Sequence, residues 1–127
     1  MKECLHSLCG LANYMLYFHF SINSNLVWKN HFDTWVNNMT SPLAYPSNYN
    51  ELRITVYEKV KHNTYIFFIN KEDTLNDKRF VGGFYYKTTD CCSFMINTDS
   101  TGIKGVYVTV NGSQIANSNI WLNVQYR

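Results

Sequence analysis

The second half of the chain alternates between apolar and polar residues with a period of two, as half-buried β-strands do. Such alternation covers residues 52–57, and short apolar or aromatic runs follow at 64–69, 80–87 and 91–97. Turn-forming residues separate these segments every 8–12 positions. The pattern predicts a mainly β fold, an antiparallel β-sandwich or a jelly-roll-like domain.

The clearest local signal is a hairpin centred on Asn111-Gly112. Asn-Gly supplies the two positive-φ residues that a type I′ turn needs. A two-residue loop in this register places Val108 and Ile115 on the same face of the hairpin. The pattern of apolar residues and the chemistry of the turn therefore predict the same strand pairing.

The last segment, residues 120–127, predicts a strand with two different faces. Its inner face consists of Ile120, Leu122, Val124 and Tyr126, and its outward-facing row consists of Trp121, Asn123, Gln125 and Arg127. Trp and Arg contribute strongly to protein interfaces, and an aromatic ring can also stack on a sugar. We therefore predict that these four residues, together with Tyr107, are partner-binding residues. Simple packing of Trp121 under a helix is the alternative.

One amphipathic helix is predicted near residues 25–38. The apolar residues that follow helical spacing there are Trp28, Phe32, Trp35, Val36 and Met39,. In this interpretation Trp28 and Trp35 belong to the core. The first segment, residues 1–20, allows more than one interpretation, because apolar residues between 5 and 16 follow helical spacing while residues 14–22 alternate and predict a strand. A signal peptide is the further alternative for this segment. Residues 40–50 predict a loop. The whole chain, 1–127, is predicted to be a single domain in which residues 1–50 pack on a sheet portion formed by 51–127.

Composition supports a sheet protein and limits the classes of function. The chain has 127 residues, of which 17% are aromatic and 16% charged, which fits one compact domain and excludes a disordered chain,. The net charge is only +2 and no basic run is present, so we expect no nucleic-acid partner,. The sixteen asparagines suit turns, although an AT-rich coding sequence is an alternative cause,. We also expect no membrane span, because no long apolar stretch is free of polar residues.

The four cysteines allow three interpretations. Cys4 and Cys9, with His6 and one residue of the pair Cys91-Cys92, could hold zinc, but the spacing matches no common zinc module,. A disulfide between the early and the late pair is the second interpretation. Reduced and mostly buried thiols are the expected state. We therefore predict no metal and no cofactor.

No catalytic motif appears in the sequence. None of the four histidines has another histidine at i+4, and the nucleophile elbow, P-loop and dinucleotide fingerprints are missing,. Glu51 and Glu58 are the carboxylates that could be imagined as an acid–base pair. We therefore expect a protein without catalytic residues.

The short asparagine-rich strands and tight hairpins of the last fifty residues resemble small β-rich domains of viral and bacteriophage particles. This general resemblance implies a non-enzymatic structural or attachment component of a capsid, a tail or a similar assembly, located in the virion. We expect its partners to be other proteins and neighbouring copies of itself, as a homo-oligomer. A lectin-like module that binds a glycan through Trp121, Tyr45 and Tyr49 is one alternative, and a small enzyme or toxin is the other.

Overall fold

The structure, a computed structural model, describes residues 27–85 and 90–127. Strands account for 62% of these residues, and no helix among them reaches seven residues. The strands are β1 (Lys29–Trp35), β2 (Leu43–Ala44), β3 (Glu51–Glu58), β4 (Asn63–Asn70), β5 (Lys78–Tyr85), β6 (Cys91–Asp99), β7 (Gly102–Val110), β8 (Ser113–Gln114) and β9 (Ile120–Tyr126). Single 3₁₀ turns lie at Val36–Asn38, Lys71–Thr74 and Asn117–Asn119. The predicted mainly β fold is confirmed.

The strands form two antiparallel sheets arranged like a sandwich. The four-stranded sheet has the order β1-β9-β3-β4, so the last strand inserts between the first and third. The five-stranded sheet has the order β2-β7-β6-β5, and β8 pairs with β7. Short turns connect β3 to β4 and β6 to β7, because polar and glycine-containing segments end each strand,. The loop predicted at residues 40–50 contains only the two-residue strand β2.

The core lies between the inner faces of the two sheets. Alternate residues of β3, β6, β7 and β9 point inward and are almost fully buried; they include Leu52, Ile54, Val56, Phe94, Ile96, Val108, Ile120, Leu122 and Val124. Burying each such side chain contributes about 1.5–3 kcal/mol to the free energy of unfolding. The period-two pattern in the sequence therefore matches the inner residues of β3, β7 and β9, whereas 91–97 was predicted only as a short strand.

The hairpin at Asn111-Gly112 forms as predicted. The two residues have φ angles of 52° and 82°, as a type I′ turn requires,. Thr109 pairs with Gln114 across the hairpin. The amide of Ile115 donates a hydrogen bond of 2.8 Å to the carbonyl of Val108, and both side chains are buried.

The helix predicted near residues 25–38 is wrong within the described residues. Residues 29–35 form strand β1, and only one 3₁₀ turn follows at Val36–Asn38. The register against β9 shifts between Asn30 and Phe32, so an irregularity interrupts the alternation there,. From Phe32 onward, apolar side chains fall on both faces of the strand, which imitates helical spacing.

A close approach between the sheets explains one of the two central glycines of β5. A Cβ atom placed on Gly82 would lie 2.2 Å from Cζ of Tyr65 in the opposite sheet. The Tyr65 ring also stacks on Phe94, with ring centroids 5.5 Å apart. The Gly82-Gly83 pair is therefore a site of close packing, and β5 pairs with β6 without a register shift.

The strand predicted at residues 14–22 lies outside the described residues. In the part of the chain that the structure does describe, no helix has both the length and the apolar character needed to cross a membrane.

Candidate functional site

The outward side of the four-stranded sheet carries the predicted row of β9. The cross-strand register places residues of β1, β3 and β4 beside that row. We call this surface the aromatic–polar face, defined by Asn30, Asp33, Trp35, Arg53, Thr55, Tyr57, Ile66, Phe68, Trp121, Asn123, Gln125 and Arg127. The outward direction of Trp121, Asn123 and Gln125 follows from the burial of Ile120, Leu122 and Val124 between them,. Arg127 lies just after the end of β9 and is buried.

Trp121 packs against another tryptophan on this face. Its ring meets Trp35 edge to face, with centroids 4.9 Å apart, and its indole Nε1–H donates a 2.6 Å hydrogen bond to Oδ1 of Asp33. The ammonium group of Lys59 lies 5.0 Å from the centroid of the Trp35 ring. Trp35 therefore belongs to the outer face and not to the core, because β1 replaces the predicted helix.

The two amides of the row are engaged by neighbouring strands. Asn123 donates from Nδ2 to Oδ1 of Asn30 at 3.0 Å. Gln125 accepts from Nε of Arg53 at 2.9 Å. Arg53 and Gln125 face each other across β3 and β9, whereas Asn30 and Asn123 are diagonal neighbours across β1 and β9. The register of the sheet brings both pairs within reach.

Arg127 lies at the end of the row and is largely covered. The residue is only 9% exposed, and its guanidinium forms an ion pair with Glu51. The same guanidinium lies 4.4 Å from the centroid of the Trp28 ring, and the guanidinium of Arg53 lies 4.7 Å from it. Trp28 is therefore half-buried beside two cations, rather than in the core as the helical spacing had predicted.

Tyr107 is separated from the other four predicted residues. It lies on β7, opposite Met95 of β6, which lies opposite Val81 of β5. These residues face outward from the five-stranded sheet, and Val81 and Tyr107 are 64% and 37% exposed. The structure therefore brings together Trp121, Asn123, Gln125 and Arg127 but not Tyr107.

A polar groove of about 460 Å³ lies next to Tyr107, and no sequence pattern had predicted it. Its lining residues are Ser41, Asp77, Lys78, Arg79, Asn97, Thr98, Lys104 and Tyr107. The groove depends on a register shift in the β6–β7 pairing, where Lys104 is the extra residue. The basic pair Lys78-Arg79 was the available signal, but a sequence alone does not place it beside Lys104.

The two tyrosines proposed as sugar platforms are engaged within the protein. Tyr49 is 5% exposed, and its hydroxyl hydrogen-bonds to the hydroxyl of Thr74 at 2.5 Å. The phenol of Tyr45 donates to the carbonyl of Asp99 at 2.8 Å, and burial raises the pKa of Tyr45 to about 12. The Tyr49 ring is therefore closed to a ligand, and the Tyr45 ring is partly buried beside it, with centroids 5.6 Å apart.

Glu51 and Glu58 do not form an acid–base pair. They occupy the two ends of β3, which at about 3.4 Å per residue puts them roughly 24 Å apart,. Glu58 is fully buried and accepts hydrogen bonds from the amides of Val60, Lys61 and Asn63, each with a contact of 3.0 Å. This carboxylate holds the β3–β4 turn.

Cys91 and Cys92 are free thiols on opposite faces of β6. Cys92 is 2% exposed, and this burial raises the pKa of its thiol to about 12, with the Glu58 carboxylate adding to the effect. Cys4, Cys9 and His6 lie outside the described residues. Among residues 27–85 and 90–127, no three metal-binding side chains of the His, Cys, Asp and Glu types cluster together.

Comparison of the chain with protein-family models, with curated proteins and with solved structures finds no match.

Proposed function

We propose that this chain is a non-enzymatic structural or attachment component of a large assembly of the virion type. In this proposal it acts through protein–protein contacts, and its aromatic–polar face contacts a second copy of the chain. The observation that supports the proposal is that the polar groups of the β9 row already have partners within the sheet. Trp121 has Asp33, Asn123 has Asn30, and Gln125 has Arg53.

Internal pairing of this kind favours burial against a protein. A polar group that loses water without gaining a partner costs about 1–3 kcal/mol. Because the groups of this row keep their partners when the face is covered, most of that cost is avoided. The pairs also fix the side-chain rotamers before contact, which lowers the entropy lost on association. The Trp35–Trp121 pair would supply the apolar contact area,.

The same pairing argues against a glycan at this face. A sugar needs amide groups that can exchange hydrogen bonds with its hydroxyls. Here the Nδ2 of Asn123 and the Oε1 of Gln125 are directed to neighbouring strands. A lectin-like role through Trp121 is therefore less well supported than a protein contact.

The size of the face favours many weak contacts between copies. Four strands about 4.8 Å apart, each with about seven residues rising about 3.4 Å, give a footprint of roughly 450 Å²,. Stable protein pairs bury about 800 Å² on each partner. A face of this size lies at the small end of protein interfaces, and an ordered array multiplies the contact.

Sedimentation velocity over a concentration series of the whole chain tests this proposal. We expect reversible association with a dissociation constant of roughly 0.1–1 mM. Thr55→Arg, at the centre of the face, should abolish that association, because it places a bulky charge between the copies.

The matched control is Ser100→Arg, which adds the same charge in an exposed turn. It should associate as the unmodified chain does. A chain that stays monomeric at about 1 mM, or a Thr55→Arg variant that associates unchanged, would contradict the proposal.

A further inference from the structure

We infer that the polar groove beside Tyr107 binds an acidic saccharide, meaning a sugar that carries a carboxylate or sulfate group. This site lies on the five-stranded sheet, whereas the aromatic–polar face belongs to the other sheet. The inference therefore does not depend on contacts between copies of the chain.

Three cations line the groove. Lys78 and Arg79 begin β5 and pair with Thr98 and Asn97 of β6. Lys104 is the extra residue of β7 at the register shift, and its side chain is 56% exposed. Exposed cations on β5 and β7, the two strands that flank β6, can contact one oxyanion from different sides,. The geometry of the shifted register therefore concentrates positive charge at this end of the sheet.

The two nearby carboxylates leave one net positive charge at the groove. Asp77 is the carboxylate among the lining residues. Asp99 lies 3.6 Å from Nζ of Lys104 but also accepts hydrogen bonds from the amides of Thr101 at 2.7 Å and Gly102 at 3.2 Å. The Thr101 hydroxyl also donates a hydrogen bond to Asp99. This hydrogen bond and those from the two amides lower the pKa of the Asp99 carboxyl, the hydroxyl having the largest effect. Asp99 is therefore occupied in stabilising its own turn, and the three cations still outnumber the two carboxylates.

Asn97 supplies an unused hydrogen-bonding group at the groove. Its side-chain oxygen is buried and has no hydrogen-bond partner within the described part of the chain. Asn97 lies opposite Arg79 of β5 on one side and opposite Gly105 of β7 on the other, and Gly105 has no side chain. Because this oxygen is buried, neighbouring side chains have to move before a ligand hydroxyl can donate to it. An amide next to cations suits a ligand that has both hydroxyl and acidic groups.

Tyr107 forms an aromatic wall of the groove. A Cβ atom on Gly105 would lie 2.7 Å from the Tyr107 hydroxyl, so the ring lies over the glycine backbone. The volume of about 460 Å³ is within the usual range of about 300–1,000 Å³ for small-molecule sites and exceeds what a single inorganic ion needs,. The combination of an aromatic wall, an amide and cations is that of a sugar site with a charged substituent.

Isothermal titration calorimetry at low salt tests the inference with three probes. A heparin-derived tetrasaccharide carries sulfate and carboxylate groups, cellotetraose is a neutral sugar, and sodium sulfate is the bare ion. We expect the acidic tetrasaccharide to bind at least tenfold more tightly than either of the others. The double substitution Lys78→Gln and Arg79→Gln should weaken tetrasaccharide binding at least tenfold. Both residues are exposed, so the variant should fold.

The matched control removes two other exposed lysines, with Lys59→Gln and Lys61→Gln. It should change tetrasaccharide affinity less than twofold. Asn97→Asp, which adds a negative charge beside the cations, should weaken binding at least tenfold. The inference is overturned if the control weakens binding as much as the groove variant does. Equal binding of cellotetraose, or of sulfate alone, would also overturn it.

Discussion

At the scale of single residues, Glu58 is a fully buried carboxylate whose hydrogen bonds hold a turn. Its fully buried carboxylate receives the amides of the β3–β4 turn and the side-chain amide of Asn63. We expect Glu58→Gln to lower the free energy of unfolding by about 2–3 kcal/mol, because a neutral amide accepts these hydrogen bonds less well and turns two of its own donors into the turn. Urea denaturation measures the change. Glu72→Gln, at an exposed position, should stay within about 0.5 kcal/mol of the unmodified chain,.

Burial of Cys92 and Tyr45 makes the free energy of unfolding change with pH in the alkaline range. The pKa of each group is raised to about 12 in the folded protein. In the unfolded chain a thiol ionises near its ordinary pKa of about 8.5 and a phenol near about 10. As pH rises above about 8.5, the unfolded state therefore loses protons first and becomes relatively more stable.

Stability should consequently be fully present below about pH 8.5 and should fall as pH rises toward about 12. Urea midpoints at about pH 8 and about pH 10.5 test this dependence. Cys92→Ala should reduce the difference between the two midpoints, and Cys91→Ala, which leaves the buried thiol in place, should retain it. An equal difference in both variants would count against a role for Cys92.

Residue directions were predictable from the sequence where strands are regular, but the partners were not. Alternation in β9 correctly separated buried Leu122 from outward Trp121. It did not reveal that Asp33 of β1 accepts the Trp121 indole hydrogen bond, because that contact depends on which strands are neighbours. The role of Glu58 in the β3–β4 turn was also not predictable from the sequence, because its carboxylate meets the turn amides only once the turn has formed.

At the scale of elements, the packing of β5 against the opposite sheet depends on Gly82. A Cβ atom there would overlap the Tyr65 ring at 2.2 Å. We expect Gly82→Ala to destabilise the protein by about 1–3 kcal/mol, because the ring has to move within a packed core. Thermal and urea denaturation measure this loss.

A double-mutant cycle isolates that contact. In a Tyr65→Ala background the ring is gone, so Gly82→Ala should cost less than about 0.5 kcal/mol further. Val81→Ala, at the neighbouring exposed position, is the control and should be nearly neutral. A cost for Gly82→Ala that is independent of residue 65 would mean that the backbone of β5, and not the ring, requires glycine.

The elements also show where sequence patterns succeed and fail. The hairpin was predictable because Asn111 and Gly112 carry its geometry locally. Strand β1 was misread as a helix because the irregularity near His31 and the outward position of Trp35 produced apolar residues at helical spacing. Pairing with β9 decides the outcome there, and such long-range pairing is not encoded in a local window.

At the scale of the whole molecule, two sheets enclose one core and expose two chemically different outer surfaces. The four-stranded sheet presents the aromatic–polar face, whose polar groups are paired internally. The five-stranded sheet presents Val81, Tyr107 and the polar groove beside Tyr107. We propose that one side of the sandwich contacts protein and that the other side binds a ligand.

Backbone-amide NMR spectra of the whole chain at low and high concentration test the central claim of protein contact through the aromatic–polar face. We predict concentration-dependent shifts concentrated at Thr55, Tyr57, Trp121 and Asn123, with the amides of β6 unchanged. Spectra that do not change with concentration, or changes centred on β6 and β7, would contradict this account.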